Sequence, residues 1–137
     1  MTSLQLVKLY GMTAALLLAI DLVWIGVVAA PFYRSRLDSL MAPDVRWGAA
    51  LLFYLIFVAG LLVFATLPAL AAGSASRAAL LGGFLGLVAY ATFDLTSLAL
   101  FRDFPVSVVL VDMAWGTALS AGVATAAWWM GRHLLGG

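Results

Sequence analysis

Asp94 sits in the middle of GLVAYATFDLTSLALFR (Gly86 to Arg102), a run that is otherwise almost wholly apolar. In hydrocarbon an ionised aspartate costs about 2.5 to 3.5 kcal/mol on insertion scales, unless it faces protein, water or a partner. Two more acids share that setting, Asp21 in LLLAIDLVWIG and Asp112 in VVLVDMAWG. Each is followed three residues later by a tryptophan, Trp24 and Trp115, which helical spacing puts on the same face as the acid. Tyr90 lies one turn before Asp94 on its face. Carboxylates hold protons or cations, phenols donate hydrogen bonds, and indole faces attract an organic ammonium. Asp21, Asp94, Asp112, Trp24, Trp115, Tyr54 and Tyr90 are therefore the candidate residues for a ligand or ion.

Composition says what positions them. The 137 residues are 66% hydrophobic and 9% charged, with a mean hydropathy of +1.14, against about 25% charged in soluble domains. The chain reads as an all-α integral membrane protein, a bundle of four transmembrane helices in one domain. With no cysteine there is neither a disulfide framework nor a thiolate metal site. A net charge of +1 gives no basic stripe for nucleic acid. No cofactor motif is present.

Four apolar runs reach the roughly 20 residues that a span needs, at about 9–30, 47–70, 77–100 and 106–130. The first is too long for a signal-peptide core and contains Asp21, so it reads as a retained helix that Pro31 closes. Pro68 reads as a local break near the end of the second, and Pro105 suits the first turn of the fourth. The connection 31–46 carries Arg34, Arg36 and Arg46, flanked by Phe32, Tyr33 and Trp47. Its middle, Tyr33 to Met41, has the pattern of a short amphipathic helix with Leu37, Leu40 and Met41 toward lipid. The three arginines are expected to contact lipid headgroups. DLVWIG and DMAWG share an Asp-x-x-Trp pattern, an echo too short to establish an internal repeat.

At 1.5 Å per residue, Asp21, Asp94 and Asp112 lie about 15, 12 and 10 Å from the face that holds the long connection and the Arg102 turn. Tyr54 reaches the same level from Trp47. Three helices thus bring an acid, and the fourth a phenol, to one layer. No basic residue lies in the spans at that depth, and three neighbouring carboxylates cannot all ionise. A proton, a bound cation, or an arginine folding in from the connection must compensate. A single such Asp is as readily explained as a protonated, hydrogen-bonded contact between helices; three at one level favour a site. Gly82 and Gly86, and the series Gly116, Ser120 and Ala124, read as packing surfaces, suited equally to the monomer or to a homo-oligomer.

Three functions fit. The first is binding or transport of a proton or small cation at the three acids. The second is a membrane enzyme acting on a lipid or polyprenyl substrate, although no recognised metal-ligand or nucleophile motif is present, no metal ligand set is assigned and catalytic residues are unknown. A divalent metal on the three Asp belongs to that alternative. The third is a structural or assembly subunit whose acids pair with a basic residue of a membrane partner.

The motifs DLVWIG, FYRSRL, PDVRWGAALLFYLIFVAG, YATFDLTSLA and VDMAWGTALSAG together resemble a family of small bacterial membrane proteins, a predicted membrane domain of unknown function. The resemblance covers about Asp21 to Ser120. It implies a four-helix protein of the bacterial inner membrane and supplies no activity. Phe93 and Ser97 stand where that family typically has tyrosine and asparagine, so no role is carried over to them. Basic residues are nearly balanced between the two faces. The basic N-terminal tail common in the family points to cytoplasmic termini, with the acids in the periplasmic leaflet.

Overall fold

The computed structural model describes residues 1–37 and 46–136. It contains four helices long and apolar enough to cross a membrane: α1 (Ser3–Leu37), α2 (Trp47–Ala72), α3 (Ala75–Leu100) and α4 (Val106–Leu134). No strand occurs among the described residues. The helix ends follow from local chemistry. Thr2 and Gln5 form a reciprocal capping box at the start of α1, with bonds of 2.8 and 3.1 Å. Gly73 ends α2 at φ +65°, a left-handed conformation that a Cβ would strain. Ser74 then caps α3 by accepting the Arg77 N–H, and Pro105 stands just before α4.

Two prolines behave differently from the sequence expectation. Pro31 does not close α1, which continues to Leu37, and Pro68 does not break α2, which continues to Ala72. In each case a wide turn with i→i+5 hydrogen bonds ends two residues before the proline, at Ile25–Ala29 and at Leu62–Thr66. Such a turn reorganises the hydrogen-bond ladder locally, so the missing proline N–H and the ring are accommodated without ending the helix. The expected amphipathic helix therefore begins inside α1. Leu37 does not face lipid but packs, half-buried with Phe32 and Tyr33, against Phe104, Val108 and Val109. Residues 38–45, which include Leu40 and Met41, lie outside the described residues.

The helices run alternately up and down. Gln5 Nε2 donates to the Leu135 carbonyl at 2.6 Å and Trp128 Nε1 to the Ala69 carbonyl at 3.2 Å, gathering both chain ends and the Gly73 turn on one face. At the other face Arg36 Nε reaches Ser107 Oγ at 3.2 Å. The closest helix pair is α3 with α4. A Cβ on Gly82 would stand 2.5 Å from that of Ala124, and one on Gly86 would overlap Ser120 and the Gly116 carbonyl. These glycines let two backbones touch, which is how helices associate when lipid removes the hydrophobic difference between inside and outside. Across the bundle Thr66 Oγ1 donates to the Ala124 carbonyl at 3.1 Å, drawing α2 onto α4.

The half of the bundle near the chain ends is filled by Leu9, Leu17, Val58, Leu61, Ala65, Val123 and Ala127, all at 1% exposure or less. The exterior is apolar, with Leu80 and Leu100 at 74 and 79% exposure. A soluble protein would not leave such a surface uncovered; in a bilayer it is the lipid contact. This is a multi-pass membrane fold.

Candidate functional site

The half of the bundle nearer the Arg102 turn is only partly filled, by the Phe104, Val108 and Val109 cluster. It encloses a cavity of about 380 Å³ to which all four helices contribute. From α1 come Asp21, Trp24, Ile25 and Tyr33. In an unbroken α-helix Asp21 and Tyr33, twelve residues apart, would differ by about 120° in direction. The wide turn between them acts as one inserted residue, which reduces the offset to about 20° and brings Tyr33 round to the face of Asp21. Phe53 and Tyr54 enter from α2, Ala89, Tyr90 and Phe93 from α3, and Asp112 and Trp115 from α4.

Asp21 is 5% exposed and takes two donors: Tyr54 Oη to Oδ2, and Trp115 Nε1 to Oδ1 at 2.9 Å. α1, α2 and α4 are thereby tied at one carboxylate. Trp24 lies flat on Trp115, centroids 4.2 Å apart and planes 6° from parallel. Asp112 accepts from Tyr33 Oη at 2.8 Å. The Tyr90 ring lies against the backbone of Gly116, where a Cβ would overlap its atoms, and meets Phe57 edge-on at 6.3 Å. Asp94 is set apart: it is fully buried, does not line the cavity, and neither oxygen has a hydrogen-bond partner among the described residues. Asp112 is its acidic neighbour.

Six of the seven residues singled out in the sequence therefore line one cavity, and Asp94 stands behind it. Tyr33, Ile25, Phe53, Ala89 and Phe93 were not anticipated. With Pro31 as the expected end of the first span, sequence places Tyr33 in the connection 31–46 rather than in the bundle, and the rest carry no distinguishing chemistry in sequence. No arginine, lysine or histidine is among the lining residues. No group of three acidic or histidine side chains among the described residues is arranged to hold a metal ion, so the divalent ion considered for the three Asp has no geometry here. Arg34, Arg36 and Arg46 are all exposed near the same face, with the Arg36 guanidinium 5.0 Å above the Phe32 ring.

The family described as predicted membrane protein (DUF2177) matches residues 6–129. The chain belongs to this family. That match takes in every cavity residue, so the site lies wholly within the DUF2177 region. Neither the curated proteins nor the solved structures offer a match.

Proposed function

We propose that the cavity binds a small organic cation, and that the Asp94 and Asp112 pair holds a proton when the cation is absent. The observation that carries this reading is the stacked Trp24 and Trp115 pair, both rings bordering a cavity that, among the described residues, contains two carboxyl groups and no basic side chain. Indole faces and carboxylates together favour an ammonium that a hydrated metal ion would not match, since the rings offer a hard cation no ligands. The volume is at the small end of the roughly 300 to 1,000 Å³ usual for small-molecule pockets. Tyr33 and Tyr54 donate to Asp112 and Asp21, which fixes the direction of both carboxyl groups. Asp94, buried beside Asp112 and without a geometric hydrogen bond among the described residues, supplies the second carboxyl of the pair. Cation binding next to Asp112 would then release the shared proton, the coupling on which an exchanger is built.

In lipid nanodiscs, tetramethylammonium is expected to change tryptophan fluorescence saturably and to release about one proton per cation in weakly buffered solution. Asp112→Asn should weaken binding at least about tenfold, while Arg46→Gln, outside the cavity, leaves it unchanged. Binding that survives Asp112→Asn and Asp21→Asn together would rule out an acid site. Arg34, Arg36 and Arg46 belong in this reading to the headgroup layer beside the cavity, where each would add about 1 kcal/mol of attraction to anionic lipid.

A further inference from the structure

Outside the cavity, a second hollow of about 460 Å³ runs along the lipid-facing side of α1, and its wall includes the same two rings, Trp24 and Trp115. The rest of its lining is aliphatic, chiefly Ile20, Val23, Val27 and Val28, with Val23 and Val27 at 64 and 70% exposure. The tryptophan stack is thus a single partition, with carboxylates on one side and an alkyl groove open to the bilayer on the other. It stands at the wide turn Ile25–Ala29, where the hydrogen-bond pattern of α1 changes immediately after Trp24. Such turns recur at functional sites because they loosen the helix ladder locally.

We infer that the ligand is amphiphilic, a cationic head on an alkyl chain, and that it reaches the cavity sideways from the bilayer past the Trp24 and Trp115 partition. This rests on the cation-binding reading of the cavity and adds the chemistry of the rest of the molecule. Charge decides the head: the cavity presents Asp21 and Asp112 with no basic residue, so an anionic or zwitterionic phosphate head would meet repulsion. The groove decides the tail, since its lining among the described residues is aliphatic apart from the two indole rings and matches hydrocarbon. The two hollows share the rings as a common wall, so a displacement of the stack would let one molecule occupy both.

The test uses the whole chain in nanodiscs, with tetramethylammonium and dodecyltrimethylammonium as probes and bound ligand read by equilibrium dialysis, the amphiphile corrected for its uptake by empty discs. Val23→Trp fills the groove and leaves the cavity residues untouched. Dodecyltrimethylammonium is expected to lose at least about tenfold in affinity in Val23→Trp, while tetramethylammonium stays within about twofold. Leu80→Trp, equally lipid-exposed on α3 but away from the groove, should change neither. Equal responses of both ions to Val23→Trp, or no response by either, would overturn the groove assignment while leaving the cation site standing. Failure of both ions to bind the unaltered protein would instead remove the cation site itself. A dimer that Val23→Trp dissociates, with binding of both ions unchanged, would assign the groove to a second copy of the chain and likewise overturn the inference.

Discussion

The three aspartates are chemically alike and placed differently, and their substitutions should separate. Asp21 joins three helices through Tyr54 and Trp115. Asn offers a single acceptor oxygen to two donors, so Asp21→Asn should cost about 1 to 3 kcal/mol of stability by leaving one of them unpaired. Titration with SDS from mild detergent, read by circular dichroism, would show it as an earlier transition. Asp94→Asn removes a carboxyl that has no donor, and should leave that transition in place or move it later. It should also flatten the pH dependence of cation binding. In the unaltered protein a proton competes for the Asp94 and Asp112 pair, so affinity rises with pH, by up to about tenfold per unit while one proton is displaced. Tyr33→Phe loses one hydrogen bond to Asp112, about 1 kcal/mol or some fivefold in affinity. An affinity unchanged in Tyr33→Phe would mean that Asp112 is oriented by something else.

At the level of the helices, glycine position and the wide turns set the geometry. Gly86→Ala drives a methyl into Ser120 and the Gly116 carbonyl and should destabilise the α3 and α4 pair by about 1 to 3 kcal/mol, whereas Gly122→Ala meets nothing within 4 Å and should be silent. The same SDS transition distinguishes the two. The turn Ile25–Ala29 acts as an inserted residue, so deleting Gly26 together with Pro31→Ala should give a regular helix with Tyr33 still facing Asp21 and cation affinity kept within about threefold. Deleting Ala19 instead, with no wide turn to absorb the loss, rotates Asp21 by about 100° relative to the helix before it and should abolish binding. The acid layer and the glycine faces were legible in sequence because a 3.6-residue period and a fixed rise apply throughout the spans. Tyr33 was not, because proline was read as a terminator and nothing in IGVVA announces a turn with i→i+5 bonds. Leu37 packs on Phe104, Val108 and Val109 instead of facing lipid for the same reason.

For the molecule as a whole, composition and span length sufficed for a four-helix membrane bundle, since continuous apolar runs of about 20 residues satisfy their backbone in lipid as helices, whereas barrel strands are about half that length. What they did not convey is that the bundle packs unevenly: closed by Leu9, Leu17, Val58 and Leu61 toward one end, and leaving a cavity beside the Phe104, Val108 and Val109 cluster toward the other. That asymmetry comes from side chains of four helices meeting at one depth, and from aromatic rings that stack on each other and leave the centre open. The experiment to perform first is a calorimetric titration of tetramethylammonium into the nanodisc-embedded protein at two pH values, beside Asp112→Asn. Saturable binding that strengthens at the higher pH and is lost in Asp112→Asn is the expected result. No heat of binding at either pH, or binding that Asp112→Asn leaves intact, would contradict a cation site and make the acids contacts between helices only.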